Sequence, residues 1–229
     1  MMVKRPSAVG PLRAILFDLD GTLADTAPDL AGALNRLLNE LGRDQVPAEV
    51  TRPHTSSGAR GLLQAGLGIG PDHPDYETLK SRFLDLYARH ICVESKLFPG
   101  MPELLSALEC AGLSWGIVTN KASRFTVPLL KAMTLYERAA CVVSGDTTPH
   151  PKPHPAPLLH ACALLGLRPA ECLYVGDDLR DIQSAQSAGM PAVAAAFGYL
   201  GESGDPHAWN ADAVIFAPVE LLELAGVQR

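Results

Sequence analysis

A chain of 229 residues with 47% apolar content can bury a substantial core, as one large domain or as a core carrying a smaller insert. The formal net charge of −6 and the absence of a Lys/Arg block argue against nucleic acid as a partner, and no apolar run approaches membrane-spanning length. Five scattered cysteines (Cys92, Cys110, Cys141, Cys162, Cys172) form no CxxC and no zinc spacing, which reads as reduced thiols in a cytoplasmic protein.

Met1 to Gly10 read as a loose leader without the apolar stretch of a signal peptide. The apolar run Ala14-Ile15-Leu16-Phe17 then ends abruptly in Asp18-Leu19-Asp20-Gly21. Such a run suits a parallel strand buried on both faces, and its acidic end is then the C-terminal edge where open α/β sheets place their sites. Asp18 and Asp20 share a side of a regular strand, and Gly21 lets the chain turn sharply away. Two adjacent carboxylates repel unless a cation or a shared proton lies between them. Mg²⁺, a hard ion that prefers oxygen ligands, is the natural candidate, and an aspartate beside it can attack phosphorus. Taken alone, the pair reads equally as a polar turn or a helix cap.

From Thr26 to Lys96 the pattern is helical. Pro28 opens a helix with Leu30, Leu34, Leu37, Leu38 and Leu41 at helical spacing, and Gly42 stops it. A short helix is expected over 58–67, and another from Pro74 with Leu79, Phe83, Leu86, Tyr87 and Ile91 on one side. Gly66 to Gly70 follow no strand and lack the spacing of a nucleotide loop. Beyond Leu97, helices (102–110, 125–133, 155–165, 181–188, 219–224) alternate with strands (113–119, 140–143, 172–176, 192–196, 213–216). That alternation predicts βαβ units: an α/β fold with a Rossmann-like, doubly wound parallel sheet. The core domain is expected over 1–25 and 97–229, interrupted by a helical cap over 26–96.

Three more strand ends carry polar groups. Trp115 to Val118 end in Thr119-Asn120-Lys121, whose hydroxyl and backbone N–H suit phosphate oxygens as well as an ordinary turn. In His150-Pro151-Lys152-Pro153-His154, flanking prolines hold the lysine on a stiff segment and preclude a helical zinc pair. Leu173-Tyr174-Val175-Gly176 end in Asp177-Asp178, with Asp181 returning to the same side if a helix begins there and Asp178 available as its cap. Acid pair, threonine, lysine and acid pair at successive strand ends go beyond a capping pattern.

These motifs, DLDGTLADT from Asp18, VTNK from Val118, PKP around Lys152 and GDDLRD from Gly176, resemble the haloacid dehalogenase superfamily of phosphohydrolases over nearly the whole chain. The wording is similar to phosphoglycolate phosphatases. Ser57 to Arg60, Ser95 to Phe98, Phe197 to Tyr199 and Trp209 to Asp212 look closer to N-acetylmuramic acid 6-phosphate phosphatases. The resemblance implies that Asp18 attacks phosphorus, and that Asp20 protonates the leaving group and then activates water. It implies Mg²⁺ held by Asp18, the Asp20 carbonyl and Asp177 with Asp178 and Asp181 in support, and phosphate bound by Thr119, Asn120 and Lys152. The chain departs from many phosphoglycolate phosphatases in carrying Asp178 where they have serine.

Within the cap, Arg60 after Gly58 is the expected grip on a substrate carboxylate, ahead of His54 and Ser57, because arginine can hold one bidentately. The expected activity is therefore hydrolysis of a small carboxylate-bearing phosphate monoester by a monomer or homodimer. A sugar phosphomutase is the alternative within the fold, and a phospho-accepting or binding module without turnover is the alternative from another class.

Overall fold

The computed structural model describes residues 12–201 and 204–227, so the expected leader lies outside the described residues. Six parallel strands form one sheet in the order β5-β4-β1-β6-β7-β8. These are β1 (Ala14–Phe17), β4 (Ser114–Val118), β5 (Val142–Val143), β6 (Cys172–Gly176), β7 (Ala192–Ala195) and β8 (Ala213–Ile215). Helices α5 (Met101–Cys110), α6 (Ser123–Ala132), α7 (Ala156–Leu165), α8 (Leu179–Ala188) and α9 (Leu221–Ala225) connect and cover them. This is the doubly wound α/β arrangement that the alternation predicts.

β1 shows why. Every residue in it is buried. Ile15 and Phe17 join one cluster, with Trp115, Ile117 and Leu104, while Ala14 and Leu16 join another, with Val118, Tyr174 and Ile182. A period of two thus serves two cores at once, and each large apolar side chain so buried contributes about 1.5–3 kcal/mol. Cys141, Cys162 and Cys172 are buried thiols of the second core.

Register sets the site. Phe17 pairs with Ile117 on one side and Val175 on the other, so the residues that follow these three positions emerge together at one sheet edge.

The insert folds on its own apolar cluster. α1 (Ala27–Glu40), α3 (Gly58–Leu67) and α4 (Tyr76–Arg89) bring together Leu34, Leu37, Leu38, Leu62, Leu63, Phe83 and Tyr87, and Phe125 of the core joins them. Gly66 is needed for packing, since a Cβ there would stand 2.8 Å from Leu34 Cδ1. α4 starts at Tyr76 rather than at Pro74, after turns. Leu41 falls at the end of α1 and stays 44% exposed, off the buried stripe.

Two features were not expected from sequence: α2 (Ala48–Thr51), continued by a 3₁₀ segment over Arg52–Ser57, and an antiparallel pair of two-residue strands, β2 (Ala24–Asp25) and β3 (Lys96–Leu97). That pair lies where the chain leaves and re-enters the core.

Candidate active site

Asp18 directly follows β1, and Thr119 and Asp177 directly follow β4 and β6. The backbone N–H of Asp18 donates to Val175 O at 2.9 Å, which fixes its start point. Carboxylate oxygens of Asp18, Asp177 and Asp181 lie within 4.8 Å of one another.

Around Asp177 the backbone is pressed close. A Cβ at Gly198 would stand 2.2 Å from Asp177 Cβ, and one at Gly21 (φ +88°) 2.2 Å from Asp177 Oδ2, so both positions require glycine. Thr22 Oγ1 donates to Asp177 Oδ1 at 2.7 Å and the Tyr199 N–H to Oδ2 at 2.8 Å. Burial, reinforced by Asp18 and Asp181, pushes the Asp177 carboxyl well above the usual range. Asp18 is pushed up to about 6 mainly by burial, against the pull of Lys152. A buried acid cluster in this state calls for a cation.

Lys152 supplies one charge. Its ammonium lies 2.9 Å from Asp18 Oδ1 and 2.7 Å from Asp181 Oδ1, and it donates to Val118 O at 3.0 Å and Tyr174 Oη at 2.7 Å. Burial works against this charge, but Asp18 and Asp181 outweigh it and raise the ammonium's pKa. Asn120 fixes the lysine's backbone by a paired contact, its Nδ2 donating to Lys152 O at 2.9 Å and its Oδ1 accepting from Lys152 N at 2.9 Å. The Asn120 side chain thus braces Lys152, while Thr119 lines the cavity beside it.

Asp20 stands apart from the three clustered acids. Its Oδ1 accepts from Thr26 Oγ1 and lies 2.8 Å from the Lys121 ammonium, which leaves Oδ2 for proton transfer. Lys121 in turn lies 4.7 Å from the centre of the Tyr87 ring of α4. Lys121, Thr22, Thr26, Tyr174 and Tyr199 carry no role in the sequence reading. Lys121 alone had a local signal, the residue after Thr119-Asn120.

Asp178 and Asp181 part company. Asp178 caps α8, accepting from Arg180 N at 2.9 Å, and is gripped by the Arg180 guanidinium at 2.8 Å through both Nε and Nη2. Burial would raise the Asp178 carboxyl, but Arg180 prevails and lowers it. Asp181, expected only in support, belongs to the acid cluster itself. Arg180 also donates from Nη2 to Ser56 O of the cap at 2.8 Å.

A second tether joins cap and core at the hinge. Tyr199 Oη accepts from the N–H groups of Thr26 and Ala27 at 2.8 and 2.9 Å and donates to Asp25 Oδ1 at 2.9 Å, while Arg52 pairs with Asp25 at 2.9 Å. Tyr199→Phe leaves two buried N–H groups without a partner, so a loss of about 1–3 kcal/mol is expected. In a chain of this size that is about 2–4 °C of melting temperature per kcal/mol, readable by calorimetry.

Between the sheet edge and the insert lies a cavity of ≈ 390 Å³ lined by Asp18, Asp20, Thr119, Lys152 and Asp177 from below and by Ser56, Ser57, Gly58 and Tyr87 from above. Arg60 is a correction to the expected cap contact. It is exposed and does not line the cavity, because two residues beyond Gly58 the helix has already turned that position outwards. His54 does not line it either.

The haloacid dehalogenase-like hydrolase family model matches residues 15–195. An N-acetylmuramic acid 6-phosphate phosphatase of Pseudomonas aeruginosa is 42% identical over 213 residues, covering 93% of this chain and 94% of its own. A phosphoglycolate phosphatase of Xanthomonas campestris is 41% identical, covering 93% and 96%. A crystal structure from Haemophilus somnus, described as a predicted phosphoglycolate phosphatase, superposes with a TM-score of 0.83 at 29% identity, covering 94% of this chain and 98% of that one. With the acid cluster at the sheet edge and this match over most of its length, the chain belongs to the haloacid dehalogenase-like hydrolases.

Proposed function

We propose that the protein is a Mg²⁺-dependent phosphatase that hydrolyses a small carboxylate-bearing phosphate monoester through a phosphorylated Asp18. The observation that carries this reading is the position of Asp18 at the end of the central strand. It lies beside the Lys152 ammonium and two further buried acids, across a cavity wall from an anchored Asp20.

The donor set fits the ion. Asp18 Oδ1 is buried and, although 2.9 Å from Lys152 Nζ, is not aligned for a hydrogen bond with it. Asp18, Asp177 and Asp181, with the Asp20 carbonyl, would hold Mg²⁺, whose charge would allow an anionic nucleophile and an anionic ester to meet. The protein's own groups do the rest. Lys152 and Thr119 orient the phosphoryl oxygens, Asp18 attacks, and Asp20 gives its proton to the leaving oxygen and then takes one from water. The relatives named above as phosphatases support the substrate class, and their two substrates both carry a carboxylate.

Phosphate release from phosphoglycolate, N-acetylmuramic acid 6-phosphate and a set of sugar phosphates, with Mg²⁺ and with EDTA, tests the reading. One ester well above the rest and dependent on Mg²⁺ supports it; release from none removes it. A second test needs no turnover. In wild type, Mg²⁺ at about 100 times its dissociation constant should add about 2.7 kcal/mol of stability. Asp177→Asn keeps the shape and removes one of three crowded charges, and Thr22 can turn its hydroxyl to accept. The variant is expected to melt a few degrees above wild type in EDTA, at about 2–4 °C per kcal/mol, and to lose the Mg²⁺-dependent gain. A full gain in the variant would put the metal elsewhere.

A further inference from the structure

Buried polar atoms without partners mark where a ligand belongs, because leaving one unsatisfied costs about 1–3 kcal/mol. Among the described residues four buried side-chain atoms are in this state: Asp18 Oδ1, Ser56 Oγ, Tyr87 Oη and Trp209 Nε1. Three of these residues, Asp18, Ser56 and Tyr87, line the same cavity, the first on its floor and the other two on its cap side.

The cavity's cations divide in a similar way. Lys121 is paired with Asp20, Lys152 with Asp18 and Asp181, and Arg180 with Asp178. Arg124, at the start of α6, also lines the cavity, but its guanidinium lies 4.5 Å from the centre of the Phe125 ring and pairs with no carboxylate among the described residues. Phe125 also packs against Tyr87, ring centres 5.5 Å apart, so Arg124 and Tyr87 are braced by one aromatic side chain. An uncommitted arginine and two uncommitted hydroxyls face a volume of ≈ 390 Å³ that has apolar wall from Leu30, Phe83 and Leu84.

We infer that Ser56, Tyr87 and Arg124 form the subsite for the organic part of the substrate, and that this part is a sugar ring bearing a carboxylate rather than a two-carbon acid. The inference rests on the phosphatase reading above and narrows it. A two-carbon acid offers one carboxylate and little else, so it can satisfy the arginine but not both hydroxyls. The volume equals that of roughly a dozen waters, which such an ester leaves largely unfilled. A sugar acid brings hydroxyls for Ser56 and Tyr87, a carboxylate for Arg124, and C–H faces for the apolar wall. Arginine suits the carboxylate because its planar fork can hold both oxygens.

The test compares kcat/KM for N-acetylmuramic acid 6-phosphate, N-acetylglucosamine 6-phosphate (the same ring without the acid), phosphoglycolate and p-nitrophenyl phosphate in wild type, Arg124→Gln, Tyr87→Phe and Arg60→Gln. Wild type is expected to prefer the sugar acid to phosphoglycolate by at least about 10-fold. Arg124→Gln should cut the ratio of sugar acid to plain sugar by about 10- to 100-fold, the value of a hydrogen bond to a charged group. A plain-sugar rate below detection in wild type supports the same dependence on the carboxylate. Tyr87→Phe, which keeps the ring over Lys121, should raise KM for both sugars several-fold with less change in kcat. Arg60→Gln should match wild type.

Equal losses on both sugars in Arg124→Gln, or a wild-type preference for phosphoglycolate, would overturn the inference. So would turnover of p-nitrophenyl phosphate alone, which leaves the phosphatase reading standing. Only inertness towards all four esters would remove that reading itself.

Discussion

Asp18→Asn is expected to lower kcat on every ester by on the order of 10⁴-fold or more, with KM changed little. The amide keeps the shape of the carboxylate at the end of β1, so the backbone anchor from Asp18 N to Val175 O and the fit against Lys152 are retained. What is lost is the oxygen able to bond to phosphorus. The loss should not depend on the leaving group, because the missing atom is needed before any leaving group departs. Uniform inactivation across alkyl and aryl phosphates, with circular dichroism unchanged, is the expected result. Rapid-quench kinetics on both ester types would check it. The fold should gain rather than lose stability, since a charge is removed from a cluster of three buried acids.

Asp20→Asn is expected to behave differently on the two kinds of ester. Asparagine Oδ1 can still accept from Thr26 and Lys121, so the side chain should stay where it is. It can neither give nor take a proton. For a sugar or alkyl phosphate, whose leaving oxygen needs a proton, a loss of about 10²- to 10⁴-fold is expected. An aryl phosphate leaves without help, so phosphoryl transfer to Asp18 should proceed while its hydrolysis stalls. The expected trace is a burst of about one equivalent of nitrophenol per enzyme followed by a slow phase. Equal and complete loss on both esters, with no burst, would mean that Asp20 acts before bond cleavage in some other way.

Both effects follow from features legible in the sequence. The abrupt change from an apolar run to carboxylates in Phe17-Asp18 and Gly176-Asp177 is a local signal, and parallel register then brings those ends together. The strands and the helix at 58–67 were legible for the same reason, since each displays its own period. Contacts that exist only after the cap docks left no such signal. Nothing near Tyr199 in sequence predicts that its hydroxyl caps the start of α1, 172 residues away, or that its N–H holds Asp177. The 3₁₀ segment Arg52–Ser57, which carries Ser56, is too short to show a period and contains Pro53.

The cap contact shows the same limit from the other side. Arg60 was expected at the substrate because it follows Gly58 in a familiar stretch, but helix geometry sends it to solvent. Arg124 sits in an unremarkable stretch and lines the cavity, because α6 begins where β4 delivers Thr119. Asp178 had two readings in sequence, metal support or helix cap, and the structure gives it to the cap of α8 and to Arg180. Asp181 could not be separated from Asp178 until the first turn of α8 set their directions.

The most direct test of the account is to find where the phosphoryl group goes. Asp20→Asn protein is incubated with p-nitrophenyl phosphate and Mg²⁺, quenched in acid, and mapped by peptide mass spectrometry. The account predicts one phosphoryl group, on Asp18. A phosphoryl group on any other residue, or none while wild type hydrolyses the same ester, would contradict it.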